Sequence, residues 1–197
     1  MSKTTSIHLV RHGATDAIGR TFTGRRPGVR LNREGREQAE RLAARFQNLD
    51  IRSVFSSPAE RALQTAQSIA SAARVTVEQR NAFHEIDIGS WGGATFEDLN
   101  LDEEFRLFNS VRSLTRPPSG ELMLEVQNRA VGELLRIAEQ YAGSAVVVVS
   151  HSDVIRSALA YFLGMPLDLA HRLVIGLASV SLVQLSREHV LVVQIND

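Results

Sequence analysis

Cysteine is absent from the 197 residues, which excludes a disulfide scaffold, thiol catalysis and cysteine-ligated zinc together. Lysine is reduced to Lys3, so basic character rests on arginine, a bias read as composition rather than function. Charge of one sign is also lacking. The 22 basic residues match 22 acidic ones, and nothing draws the chain as a whole to nucleic acid or anionic lipid. Long apolar runs are missing as well: the first, Ile7 to Val10, is too short for a signal peptide and no run approaches a membrane span. The expectation is a cytoplasmic protein. No repeat, low-complexity tract or linker divides the sequence, so residues 1–197 read as a single domain with a small helical flap inserted at about 90–120.

What is present concentrates at the ends of apolar runs. Ile7 to Val10 leads into Arg11-His12-Gly13, and Ala145 to Val149 leads into Ser150-His151-Ser152. A parallel strand in an open α/β sheet delivers its last residues to the crevice where ligands bind. Ser53 to Ser56 is a third short buried strand, and Ser57-Pro58-Ala59-Glu60 after it reads as a capping box, with a helix starting at Pro58 and Arg61 in its first turn. Ser150-x-x-Asp153 reads the same way, which places His151 in a helical first turn and makes Asp153 the capping acid. Asn32 is the expected N-cap of a helix over Glu34 to Gln47, Val75 to Val77 a further strand, and Met123 to Tyr141 a long helix closed by Gly143. Two alternating stretches, Ser179 to Leu185 and His189 to Ile195, predict an antiparallel hairpin. Helices alternating with short buried strands predict a layered α/β/α fold with a mainly parallel central sheet.

Arg11, His12, Arg61 and His151 then converge, with Glu85 on a neighbouring loop. Two guanidiniums and two imidazoles make an anion site, and a phosphoryl group fits its charge and geometry. No P-loop or Mg²⁺ pattern is visible, and His151-x-Asp153 with Asp16 is not read as a metal cluster because Asp153 is assigned to the cap. No metal and no cofactor are expected. Without a metal to activate water, the natural nucleophile is an imidazole nitrogen, and His12 is placed for that role. It has to be neutral, and Arg11 and Arg61 should depress its pKa. The leaving oxygen needs a proton from the ionisable segment near Glu85; on the residues alone, His84, Asp87 and Glu78 stand beside Glu85 as candidates.

Four segments carry a resemblance: Leu9-Val10-Arg11-His12-Gly13-Ala14-Thr15, Ser56 through Ala66, Glu85-Ile86-Asp87-Ile88-Gly89, and Ser150-His151. In this order and spacing they resemble the histidine phosphatase (phosphoglycerate mutase-like) superfamily. The resemblance implies that His12 is the phosphorylated nucleophile, that Arg11, Arg61 and His151 hold the phosphoryl group, and that Glu85 is the proton donor. Thr23-Gly24 resembles the family's Phe-Thr-Gly substrate loop, and Thr23, Gly24 and Ser152 are assigned to substrate binding. The short stretch from Glu85 to Gly93 is similar to the broad-specificity and α-ribazole phosphatases, whereas mutases usually carry a longer insertion there. Two departures fall near expected substrate contacts: Ile18 stands where many members have asparagine, and Ser119-Gly120-Glu121-Leu122 replaces a Gly-Glu-Ser pattern. The expected activity is metal-independent phosphomonoester hydrolysis through a phosphohistidine at His12. Its alternatives are mutase-type phosphoryl transfer and non-catalytic binding of a phospho-ligand. The expected partner is a small-molecule phosphate ester, with neither nucleic acid nor membrane, and a homodimer is compatible with the sequence.

Overall fold

A computed structural model describes residues 3–197. Six strands form one sheet in the order β3-β2-β4-β1-β5-β6: β1 is Thr5–Arg11, β2 Ile51–Ser56, β3 Val77–Gln79, β4 Ala145–Ser150, β5 Val180–Leu185 and β6 Val190–Gln194. The first four strands run parallel, and β5 and β6 are antiparallel additions. The continuous apolar runs of β1 and β4 follow from burial on both faces, since alternate side chains feed opposite layers. Ile7, Leu9, Val146 and Val148 meet Leu134 and Ile137 of α5 (Met123–Gln140) and Ile155 of α6 (Ser152–Phe162). Val10, Val147 and Val149 meet Leu42 and Phe46 of α1 (Arg33–Phe46) and Ala66 and Ile69 of α2 (Glu60–Ala73). Three layers result, as the alternation of elements predicts.

A third apolar cluster lies beyond the sheet. Trp91, Leu99 of α3 (Phe96–Leu99) and Phe105 and Phe108 of α4 (Glu103–Ser110) pack on Ile86, Ile88, Met123 and Val154. This is the helical flap. It is stitched to the loop after β1 by backbone hydrogen bonds from Phe22 N to Ala94 O (2.9 Å), Gly93 N to Phe22 O (2.7 Å) and Phe96 N to Arg20 O (3.1 Å). No helix among the described residues is long and apolar enough to cross a membrane.

Both proposed capping boxes are corrected by tertiary contacts. The helix after Ser57 starts at Glu60, not Pro58, and the Glu60 carboxylate accepts from Gly28 N (2.8 Å) instead of closing a box. The Ser57 hydroxyl accepts from Ala59 N (3.2 Å). At the other helix, His151 is the N-cap residue, Ser150 donates to Phe83 O (2.8 Å), and Asp153 binds Arg112 (2.7 Å) and Arg156 (3.2 Å). The third strand is also displaced, from 75–77 to Val77–Gln79, because Arg74 turns left-handed (φ 58°) and Val75 N still serves the last turn of α2. Asn32 caps α1 as expected, accepting from Gly35 N (2.9 Å). Residue 122, noted as a departure from a serine pattern, is the N-cap of α5. Leucine offers no oxygen there, so only Glu125, accepting from Leu122 N (2.8 Å), serves that turn.

The end of β1 passes against α1 through two facing glycines. A Cβ on Gly13 would lie 2.6 Å from Gly35 O, and one on Gly35 would lie 2.1 Å from Ala14 O. Alanine in place of glycine within a helix ordinarily stabilises by about 1 kcal/mol. Here the sign reverses. We predict that Gly35→Ala destabilises the protein by about 1–3 kcal/mol through overpacking. Thermal denaturation should show a lower melting temperature, by about 5 °C; an unchanged or raised value would refute the close-approach account.

Candidate active site

Parallel register brings the strand ends to one level. Arg11 pairs with Ser150 and Ser56 with Val149, so the residues that follow, His12, Ser57 and His151, emerge at the same edge of the sheet. A cavity of about 190 Å³ opens there. Arg11, His12, Thr23, Gly24, Arg61, Glu85 and Ser152, all assigned to the site from sequence, line it. His151 does not: it is wholly buried behind Arg61. A groove of about 500 Å³ beside Lys3, Leu135 and Arg187 lies at the opposite, amino end of β1 and gathers none of these groups.

Arg61 is 2 % exposed and sits where the others meet. Its Nε donates to His12 Nε2 (3.2 Å), and its Nη2 donates to Gly24 O (3.0 Å) and to His151 Nδ1 (3.2 Å). These contacts fix both imidazole tautomers. A guanidinium only donates and a carbonyl only accepts, so His12 carries its proton on Nδ1, directed at Gly13 O (2.7 Å), and presents the Nε2 lone pair to Arg61. His151 likewise carries its proton on Nε2 and donates to Ser57 Oγ (2.7 Å). The two rings stand edge to face at 5.2 Å.

Five buried side-chain polar atoms lack a partner among the described residues. Three of them, Arg11 Nε, Thr15 Oγ1 and Arg61 Nη1, belong to residues lining this cavity. Buried donors without partners are costly, and their convergence beside a neutral imidazole describes a site shaped for an oxyanion.

Burial sets the ionisation. It drives the His12 pKa down to about 3, with the Arg61 and Arg11 cations adding to the effect against the Gly13 hydrogen bond. His151 is held well below its ordinary value by burial and then by Arg61. Glu85 moves the opposite way, up to about 7, because burial and the Asp153 carboxylate outweigh Arg61, the Ile86 amide and Arg129. Asp153 also lines the cavity and stays ionised. Burial opposes its charge, but Arg112 and Arg156 more than offset this and leave its pKa below the usual carboxylate range.

Geometry separates Glu85 from the neighbours that sequence left beside it. Glu78 is engaged by Arg80 (2.8 Å), Asp87 accepts from Gly89 N (3.0 Å), and burial with Arg25 holds His84 at about 4. None of the three lines the cavity. Of the two sequence departures, Ile18 does line it, whereas Leu122 caps α5 away from it.

Sequence reasoning did not single out the groups behind Glu85. Arg25 Nε donates to Glu85 O (2.7 Å), Arg129 Nη2 donates to the same oxygen (3.3 Å), and both guanidiniums bind Glu121. Arg25 adjoins Gly24 in the substrate loop and Glu121 lies in the departing 119–122 segment, but nothing marked Arg129 within its helix. Among the described residues, no group of three or more histidine and acidic side chains could hold a metal ion.

The fold and this pocket define an α/β protein whose cavity sets unpartnered arginine donors beside a neutral histidine. The sequence profile of the histidine phosphatase superfamily (branch 1) matches residues 7–197, and the chain belongs to that superfamily. Phosphoserine phosphatase 1 of Hydrogenobacter thermophilus is 30% identical over 164 residues, 81% of this chain and 77% of that protein. Phosphoglycerate mutase-like protein 4 of Arabidopsis thaliana is 33% identical over 156 residues, 77% of this chain and 68% of that one. The crystal structure of Entamoeba histolytica phosphoserine phosphatase with 3-phosphoglyceric acid superimposes with a TM-score of 0.86 at 29% identity, covering 98% of this chain and 97% of that one.

His12 should be neutral throughout the physiological range in the free protein. An NMR titration of its ring is expected to show no inflection between about pH 5 and 8. A midpoint near 6.5 would mean that the cavity is neither desolvated nor cationic around the ring.

Proposed function

We propose that the protein is a metal-independent phosphomonoesterase that works through a phosphohistidine at His12. The observation that carries this reading is the set of unpartnered donors on Arg11 and Arg61 around the Nε2 lone pair of a neutral imidazole. Superfamily membership and the phosphatases among the relatives support it.

As a phosphate monoester enters, Arg61 exchanges its hydrogen bond to His12 Nε2 for phosphoryl oxygens. The exchange frees the lone pair. Nε2 attacks phosphorus in line, the N–P bond forms as the ester P–O bond breaks, and the cationic ring keeps its Nδ1 proton on Gly13 O. Arg11 and Arg61 balance the charge on the equatorial oxygens, and Thr15, Thr23 and Ser152 are the uncharged polar groups at hand. His151 acts from behind, orienting Arg61 while Ser57 holds its other nitrogen. Glu85, protonated near neutrality, gives its proton to the leaving alkoxide. As a carboxylate it then takes a proton from water, whose oxygen attacks phosphorus and returns the bonding pair to Nε2.

The cavity favours hydrolysis over mutase-type transfer to a sugar acid. Among the described residues no cation beyond Arg11 and Arg61 lines it, and Ile18, Phe22 and Phe96 give it an apolar side, so no third cation is at hand to hold the carboxylate of a sugar acid for return of the phosphoryl group. Supplying 3-phosphoglycerate should therefore release inorganic phosphate without isomerised product. Absence of turnover on any phosphate ester would instead favour a non-catalytic phospho-ligand binder.

Glu85→Gln is expected to slow esters with poor leaving groups by about 100-fold or more while slowing nitrophenyl phosphate far less. Equal slowing of both would remove Glu85 from the acid role. In the intact enzyme kcat/KM should fall above about pH 7, where free Glu85 loses its proton, and hold down to about pH 4 because His12 stays unprotonated. An acid limb near pH 6.5 would contradict the neutral nucleophile, and loss of activity with EDTA would contradict metal independence.

A further inference from the structure

Glu85 lies in a loop without regular structure, yet its backbone is held more firmly than that setting implies. Its carbonyl accepts from Arg25 Nε (2.7 Å) and Arg129 Nη2 (3.3 Å). The two cations come from distant parts of the chain, Arg25 from the loop after β1 and Arg129 from α5. One carboxylate keeps them side by side: Glu121 Oε2 accepts from Arg25 Nη2 (2.7 Å) and Arg129 Nη2 (3.0 Å), and Oε1 accepts from Arg129 Nε (2.8 Å). The backbone of the same residue joins the loop, Glu121 N donating to Asp87 O (2.8 Å), and Arg129 Nη1 anchors Ala82 O (2.7 Å). The Glu121 side chain is 15% exposed and Arg129 20%, so this is a half-buried cluster rather than a solvated surface pair.

We propose that Glu121 is a positioning residue for the proton donor: by binding Arg25 and Arg129 together it fixes the backbone of Glu85, and with it the carboxyl group that faces the leaving oxygen. This rests on the reading of Glu85 as the acid. Glu121 touches neither substrate nor the reacting atoms, and it closes the segment that leads from the flap into α5. The adjoining residue of the substrate loop, Gly24, receives Arg61 Nη2 (3.0 Å), so Arg25 and Gly24 link the acid and the phosphate-binding arginine through consecutive residues. A misplacement of about 1 Å in a catalytic group costs on the order of 100-fold in rate.

The clamp also has an electrostatic consequence. The charged and titratable groups around Glu85 are Asp153 from α6, Arg61 from α2, Arg129 from α5, Arg11 from β1, Arg25 and His84 from adjoining loops, and His151, whose Nδ1 lies 3.8 Å from Glu85 Oε2. Neutralising Glu121 leaves Arg25 and Arg129 less compensated, and both then favour the Glu85 carboxylate.

The test is a leaving-group series on Glu121→Gln, which keeps an acceptor oxygen, beside Glu85→Gln and the unmodified enzyme. The expected result is a fall in kcat of about tenfold or more for alkyl phosphates, with less than about threefold for nitrophenyl phosphate. The alkaline limb of the pH profile should move to lower pH, and Glu121→Asp should recover part of both effects. Equal slowing across the series with an unmoved limb, or no effect at all, overturns the proposal. Should Glu121→Gln fail to fold, Arg25→Lys, which keeps the charge but not the double reach, is expected to give the same pattern, and its absence there overturns the proposal as well. If Glu85→Gln itself shows no leaving-group dependence, the acid assignment fails and the positioning role falls with it. If Glu85→Gln shows the dependence and the clamp variants do not, only the positioning role fails.

Discussion

A single buried guanidinium holds the site together. Arg61 touches both imidazoles and the Gly24 carbonyl and keeps Nη1 unpartnered. Burial opposes its charge, and Glu60, with Glu85 where that carboxyl is ionised, offsets this only in part. Each of its contacts also decides something about a neighbour. The bond to His12 leaves Nε2 as that ring's unprotonated nitrogen, and the bond to His151 turns the second ring's lone pair to the guanidinium. The open nitrogen belongs to a residue that lines the cavity. A lysine could not replace it, since one ammonium cannot reach three acceptors arranged around a plane.

The sheet makes that convergence possible. Parallel pairing in register sets the ends of β1, β2 and β4 beside one another, although more than a hundred residues separate β1 from β4 in the chain. The facing glycines then let α1 approach the turn after β1, and Ala14 N donates to Gln38 of that helix (2.8 Å). Gly13 N donates to Thr65 Oγ1 (3.2 Å), so α2 grips the same turn from its other side. His12 is therefore anchored by its backbone before any side chain is considered.

Those features were legible in the sequence where the signal is local. The apolar runs ending in Arg11-His12 and Ser150-His151 read as buried strands because both faces are covered, and α1 read correctly because its cap is local, Asn32 accepting from Gly35 N three residues on. The two capping boxes misled for one physical reason. Their acids had other partners from distant segments, Gly28 N for Glu60 and Arg112 for Asp153. The Arg25–Glu121–Arg129 cluster was illegible because its members lie 96 and 8 positions apart and meet only around the carbonyl of another loop. Glu85 fell between these cases: its type and segment were visible, but choosing it over His84, Asp87 and Glu78 on physical grounds required knowing which side chain faces the cavity.

Burial performs a further task that neither local pattern nor contact geometry states. In water an imidazole holds its proton more tightly than a carboxylate, with ordinary values of 6.5 and 4.5, so a free histidine and glutamate share a single proton on the histidine. Desolvation penalises whichever form is charged, lowering the base and raising the acid. At this site the order inverts, with His12 at about 3 and Glu85 at about 7, and the proton belongs on the carboxyl. In the reaction proposed above, the nucleophile is thereby emptied and the acid loaded by the same cause, before substrate arrives. An entering phosphate dianion favours protonation of both groups, but Glu85 starts with the higher affinity and so keeps the proton that the proposed reaction needs at the leaving oxygen. A cavity opened to water would lose both properties together, and the loop after β1 and the aromatic flap, bonded to each other, help to enclose it through Phe22 and Phe96.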